Sequence, residues 1–342
     1  MTDKQWEVLK GIIGGDTPER LPVGFIIDSP WLPNWYGINI LDYYSNEKLW
    51  LEANLKAIND FPEAMFLPGF WSEYGMCTEP SAFGARCNFP LNEFPHAHKV
   101  LNSADDFDAL PLPDPEKDGL LPFVLNRLKL AQPEIEAAGH KIRIAVARGP
   151  LNIASYLMGT TELLTTMMMQ PEETKALIQK ITDFLKSWLD LQMKTFDSID
   201  GILLLDDIIG FVGEPEFKTF AFPYFKQLYD VDVSVKFLHN DAPCHVSAPF
   251  IADMGVNLFN MGVDITLPEL KELTGNKVTL LGNLPPRDVL AAGTPDDVRK
   301  ATLRLIDSLE DKSRIIFSCG GGMPPGVSSE NLKAFIQTVQ QY

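Results

Sequence analysis

The chain has 342 residues, 45% of them hydrophobic, which is enough apolar material for one large core. Its 46 acidic residues against 29 basic ones leave a formal net charge of −17, which excludes a nucleic-acid surface built on clustered Lys and Arg. Four cysteines (Cys77, Cys87, Cys244, Cys319) do not suggest a disulfide framework in a chain this long, and no apolar run reaches the roughly 18 residues of a membrane span.

The opening MTDKQWEVLKGIIGGD reads as a short amphipathic helix and lacks the features of a signal peptide. A soluble, cytoplasmic protein that meets neither nucleic acid nor membrane is expected. Eight short apolar runs follow, at 23–27, 64–67, 142–147, 201–205, 235–238, 256–260, 278–281 and 314–318. Each is apolar along its length instead of alternating, as expected of strands buried on both faces. Between them lie segments with helical spacing, most clearly 120–138, 171–195, 215–229, 296–309 and 328–340. The 296–309 segment is announced by Thr294-Pro295-Asp296-Asp297, a capping hydroxyl followed by Pro and acidic residues in the first turn.

Strands alternating with helices imply parallel pairing through crossovers, and eight such units close into a (β/α)8 barrel of the α/β class. The Pro-rich stretch 77–115 is read as an elaborated loop over the barrel mouth, and residues 1–342 as a single barrel domain.

Chemistry in a barrel sits where its strands end. The residues after the apolar runs are Asp28, Gly69-Phe70-Trp71, Arg148, Asp206-Asp207, His239-Asn240-Asp241, Met261-Gly262, Gly282-Asn283 and Cys319-Gly320-Gly321. Each is also a plausible cap or turn residue; their coincidence on nearly every strand is what carries weight. His239 and Cys319 would project from different strands into one mouth, and with Asp241 they offer the N, S and O donors that zinc takes. The plainer alternative makes Cys319 a small buried hydrophobe and His239 a substrate contact. Of Asp206 and Asp207, one is expected to face the mouth and deliver a proton from an apolar cup, the other to cap a helix. Glu79 is a candidate general acid or ligand. Gly69 and the cluster Gly320-Gly321-Gly322 would admit close backbone approach by a ligand or form anion-binding nests, but no dinucleotide or P-loop fingerprint is present. Trp31, Trp35, Tyr36, Phe70, Trp71, Tyr74 and Phe83 either line a pocket for a flat ligand or form a lid packed on itself.

Four segments carry a resemblance: FLHNDAPCHVSAPFIADMGVNLFNM (237–261), PEFKTFAFPYFKQL (215–228), LLGNLPPRDVLAAGTPDDVRKAT (280–302) and SCGGGMPPGVSSENLKAF (318–335). In order and spacing they resemble the uroporphyrinogen-decarboxylase family, from about residue 142 onward. The resemblance implies the barrel fold and two branches of activity. Decarboxylases of the family carry an arginine-rich N-terminal segment and a catalytic aspartate in a Phe-Ser-Asp context; here FIIDSPWLPNWYG lacks the arginines. The corrinoid-dependent methyltransferases resembling methylcobamide:coenzyme M methyltransferases hold zinc with His-x-Cys and a late Cys. Here His239-Asn240-Asp241 and Cys319 match, with Asp in place of the middle Cys.

The resemblance therefore implies an O-demethylase-type methyltransferase, with zinc on His239, Cys319 and Asp241 and a corrinoid brought by a partner protein. Asp206, Asp207, Glu79 and Asp241 are then the candidate catalytic groups. Gly282, Asn283, Gly320 and Gly321 would approach the cofactor, and Asp28, Trp71, Arg148 and Asn240 a small methyl donor such as a methoxylated aromatic. The rival expectations are a decarboxylase of a smaller acid, with Asp206 or Asp207 as proton donor and Arg148 holding the carboxylate, and a non-catalytic tetrapyrrole-binding protein.

Overall fold

A computed structural model describes residues 1–27 and 30–342, so the expected substrate contact Asp28 lies outside the described residues. All eight expected strands are present: β1 Gly24–Ile26, β2 Met65–Leu67, β3 Ile144–Arg148, β4 Gly201–Leu205, β5 Val235–Asn240, β6 Leu258–Met261, β7 Thr279–Leu284 and β8 Ile315–Cys319. From β3 to β8 each strand pairs in parallel with the next, and β1 pairs in parallel with β2. Parallel bridges from Val23 to Phe317 and from Ile26 to Gly322 join β1 to β8 and close the (β/α)8 barrel on that side. No strand ladder joins β2 to β3 among the described residues. Side chains cross that seam instead, as Arg148 at the end of β3 reaches Glu73 and Glu79 in the segment after β2.

Every second strand residue points to the barrel axis. Ile144, Leu203, Phe237, Leu258, Leu281 and Ile316 pack together there, and the intervening residues face the helices. Burying one such side chain contributes about 1.5–3 kcal/mol. The expected N-terminal helix, α1 Asp3–Gly14, carries a Thr2/Gln5 capping box. Its Trp6, Leu9 and Ile12 join the interior cluster at the N-terminal ends of the strands. The Trp6 indole donates to Asp200, one residue before β4.

Outside the sheet run α2 Glu47–Asp60, α3 Leu121–Ala137, α4 Pro150–Met158, α5 Pro171–Thr195, α6 Phe222–Tyr229, α7 Pro295–Asp307 and α8 Ser329–Gln341, among shorter turns. Thr294 caps α7 in a capping box with Asp297, as its sequence announced. The helix expected over 215–229 is broken into Glu214–Glu216, a wide turn over Phe217–Ala221, and α6. Pro223 explains the break, since it has no N–H to give the preceding turn. Helix α4 escaped the sequence reading because nearly every one of its residues is buried, which erases the polar face that periodicity needs. No helix among the described residues is long and apolar enough to cross a membrane.

Candidate functional site

A cavity of about 510 Å³ opens at the C-terminal ends of the strands. Its walls come from β1, β4, β5, β6, β7 and β8: Ile26, Leu205, His239 and Asp241, Gly262 and Val263, Pro285–Asp288, and Gly320 with Gly322–Pro325. A larger cavity, about 780 Å³, lies against α1 and the N-terminal ends of β1 and β2. Of the ionisable strand-end residues, His239 and Asp241 meet at the smaller one, at the end where a barrel keeps its chemistry.

His239 is the last inward residue of β5, and its surroundings fix its tautomer. Asn260, inward on β6, donates through Nδ2 to the Leu281 carbonyl at 2.6 Å, which leaves Oδ1 to face His239. Nδ1 of His239 therefore carries the hydrogen and donates to that oxygen at 2.7 Å. The free face of the ring is Nε2, turned to the cavity and 3.7 Å from Oδ2 of Asp241. Asp241 is held in turn, because its backbone N–H donates to Asp207 Oδ1 at 2.7 Å. Desolvation, with the Asp207 charge adding, pushes the Asp241 carboxyl above its ordinary range, while His239 opposes the shift. Gly321 allows this placement: its φ is +67°, and a Cβ there would fall within 1.9 Å of Asp241 Oδ1. Ser318 and Gly320 of the same segment have close neighbours too: the Ser318 hydroxyl is buried with no hydrogen-bond partner, and a Cβ on Gly320 would collide with Val263.

The other side of the barrel top is closed. Arg148 is inward and buried, 2.7 Å from Glu73 and 3.6 Å from Glu79, and its backbone N–H donates to Glu79 at 3.1 Å. Burial raises the Glu79 carboxyl above its ordinary range, against the Arg148 charge. Two carboxylates already neutralise this guanidinium, and neither it nor Glu79 lines the cavity, so the expected substrate and general-acid roles of Arg148 and Glu79 do not match their placement.

Asp206 and Asp207 also differ from expectation. Asp206 is wholly buried and accepts the N–H groups of Leu151 and Asn152 at the start of α4, and that of Ile208. It caps α4, earlier in the chain, as well as the short turn that follows it, and Gly149 is needed beside it because a Cβ would meet its carboxylate at 2.4 Å. Burial pushes the Asp206 carboxyl up to about 8 against those three donors. Asp207 acts through Asp241, not on the cavity.

The remaining expected residues divide as follows. Trp71 is buried among the barrel-interior residues and gives its carbonyl to the Trp50 indole. Trp31 and Trp35 stack at 5.1 Å and donate to Val327 and Ser329, and Phe83 packs edge-on against Phe184, so the entry-loop aromatics pack on themselves and line no part of the mouth. The 77–115 stretch packs beside the end of β3 instead of over the cavity. Asn240 faces away from the axis, its Oδ1 taken by the Ala242 N–H. Gly282 packs against Met261, and Asn283 ties down the loop after β6 by donating to Gly262 and Ile265. Cys319 is fully buried, its sulfur 3.7 Å from the Gly321 carbonyl.

Among the described residues no three His, Cys, Asp or Glu side chains converge as a metal centre requires. His239 and Asp241 offer two donors at the cavity and Cys319 lies behind them, so the zinc set expected on His239, Cys319 and Asp241 is not assembled. Asn260 and Arg287 were missed by the sequence reading. Asn260 hides at the end of an apolar run, and an amide at an inward register is the signal that would have found it; Arg287 follows two prolines one loop beyond the strand end.

A family model described as uroporphyrinogen decarboxylase (URO-D) matches residues 11–342. The chain belongs to that family. Relatives in the URO-D family include the uroporphyrinogen decarboxylase of Alcanivorax borkumensis, 25% identical over 95% of this chain and 94% of that protein. The uroporphyrinogen decarboxylase of Mannheimia succiniciproducens is 24% identical over 78% of this chain and 76% of its own length. Among solved structures, a methyltransferase from Methanosarcina mazei superposes with a TM-score of 0.81 over 97% of both chains at 18% identity. A B12-independent methionine synthase from Shewanella superposes at 0.59 and 10% identity, covering 94% of this chain and 98% of that one. At these identities the structural likenesses show the fold. The URO-D relatives matched in sequence are named as decarboxylases.

Proposed function

We propose that this URO-D family chain is a methyltransferase that moves a methyl group from a small heteroatom donor, a methoxylated aromatic, to the cobalt of a corrinoid presented by a partner protein. The observation that carries the reading is the charge of the mouth. Among the described residues lining it, Arg287 is the only Arg or Lys, set against Asp241 and Asp288. A polycarboxylated tetrapyrrole would bring further negative charge to a wall already net negative, with no guanidinium cluster to pair with it. A neutral methyl ether has no such difficulty.

The corrinoid fits the wall chemistry. Val263, Pro285, Pro286, Met323, Pro324 and Pro325 make a rigid, largely apolar rim around the polar floor, a surface on which a flat macrocycle can rest. When bound, it supplies the methyl acceptor. The protein's task is then the leaving group, since an unprotonated phenolate or alkoxide departs poorly. His239, protonated at Nε2 and oriented by Asn260, gives its proton to the departing oxygen. Asp241, 3.7 Å away, stabilises the imidazolium before transfer and helps return a proton afterwards. A zinc ion would need a third protein ligand to move in, and no step above depends on one.

The test mixes the purified protein with cob(I)alamin and a panel of methoxyaromatics, methanol, methylamines and methyl thiols. Methylcobalamin formed with a methoxyaromatic is the expected result. Because the curated relatives are named as decarboxylases, the same preparation is given uroporphyrinogen and smaller carboxylic acids; decarboxylation without corrinoid, unchanged in His239→Gln, overturns the reading.

A further inference from the structure

Outside the mouth, one pair of reactive side chains is juxtaposed without a role in the site. Cys77 immediately precedes the short helix Thr78–Ala82, and Cys87 lies on a two-residue strand, Cys87–Asn88, that pairs with His96–Ala97. The turn between them brings the strand back onto the helix start. There the two thiols lie close enough to shift each other's ionisation. The Cys87 sulfur lies 4.0 Å from the Cys77 carbonyl and 3.6 Å from that of Ala85. Both are free thiols, Cys77 fully buried and Cys87 partly exposed.

We propose that Cys77 and Cys87 are a redox-active dithiol, closed to an intramolecular disulfide by a small-molecule disulfide such as oxidised glutathione. The division of labour follows from exposure and ionisation. Cys87 can be reached from solvent, and its interaction with the Cys77 thiol holds it below the usual range; that interaction and burial push Cys77 up. The Cys87 thiolate attacks one sulfur of oxidised glutathione, forming a mixed disulfide and expelling one glutathione thiolate. Cys77 then loses its proton and attacks the Cys87 sulfur, expelling the second glutathione. The two protein thiols are oxidised by two electrons, and the glutathione disulfide is reduced to two thiols. The bond so formed fastens the start of the helix that carries Glu79, the residue hydrogen-bonded to the backbone of Arg148.

The experiment incubates the reduced full-length chain with oxidised glutathione, quenches by alkylation, counts thiols after denaturation and maps the linked peptides by mass spectrometry. The wild type is expected to lose two of its four thiols, with the peptides holding Cys77 and Cys87 joined and no glutathione retained. In Cys77→Ser the mixed disulfide should persist on Cys87, and in Cys87→Ser residue 77 should stay reduced. An unchanged thiol count in the wild type, glutathione remaining on Cys87, or linkage to Cys244 or Cys319 overturns the proposal. The wild-type count decides the matter even where a variant fails to fold.

Discussion

The two halves of the barrel top use polar residues in opposite ways. On the β5–β8 side, His239 is fixed from behind by Asn260 and leaves Nε2 facing the cavity, with Asp241 beside it. On the β2–β4 side, Arg148, Glu73 and Glu79 turn their charges on one another, and Asp206 gives its side-chain oxygens to the start of α4. The first arrangement leaves a group unsatisfied where a ligand can meet it. The second completes a seam where no strand ladder forms among the described residues. A perturbed carboxyl is therefore poor evidence of catalysis by itself: Asp206 is the more strongly shifted and the less reachable.

The sharpest way to break this contrast is His239→Gln. Removing the proton donor should lower kcat for methyl transfer by about 10²–10⁴-fold while the melting temperature stays close to that of the wild type. Arg148→Met should do the reverse in kind, leaving two buried carboxylates without a counter-charge. A loss of about 3–5 kcal/mol in urea unfolding is expected, and adding Glu73→Gln and Glu79→Gln to it should restore most of that loss. If Arg148→Met left stability untouched, the seam would not be held by charge.

Asn260→Ala tests the link between the halves of the His239 argument. It strands the buried Nδ1–H, at a cost of about 1–3 kcal/mol, and frees the tautomer. The pH profile of kcat should shift, which mere loss of packing would not cause. The last test concerns the pH dependence set by Asp206. Its folded pKa, about 8, lies above the ordinary 3.8, so between those values the native state holds a proton that the unfolded chain releases. Its contribution is fully present below that window and is lost as the pH rises through it, with a slope of at most about 1.4 kcal/mol per pH unit. Asp206→Asn should flatten that part of the stability curve, measured by denaturant titration at several pH values.

The barrel was legible because its strands are short, uniformly apolar and separated by helical spacing, and each of the eight lies where its apolar run predicts. Strand ends also led to His239, Asp241 and Gly320, all of which line the mouth. The same rule misled for Arg148, Trp71 and Asp206, because position at a strand end does not say which other side chains claim the residue first. Glu73 and Glu79, more than sixty residues away in sequence, decide what Arg148 can do. Asn260 shows the converse: an amide inside an apolar run reads as an imperfection until the register turns it toward His239.

Helix α1 has one more consequence. With Trp6, Leu9 and Ile12 packed into the N-terminal ends of the strands, the barrel is stoppered there, and the cavity that His239 lines opens at the other end. Two reactants sharing one doorway must queue. On the proposed reaction, a small methyl donor would be seated before a large carrier protein covers the rim, and the demethylated product would leave only after the carrier has withdrawn. Turnover on such a scaffold is paced by docking and departure at the rim as much as by the bond that breaks beneath it.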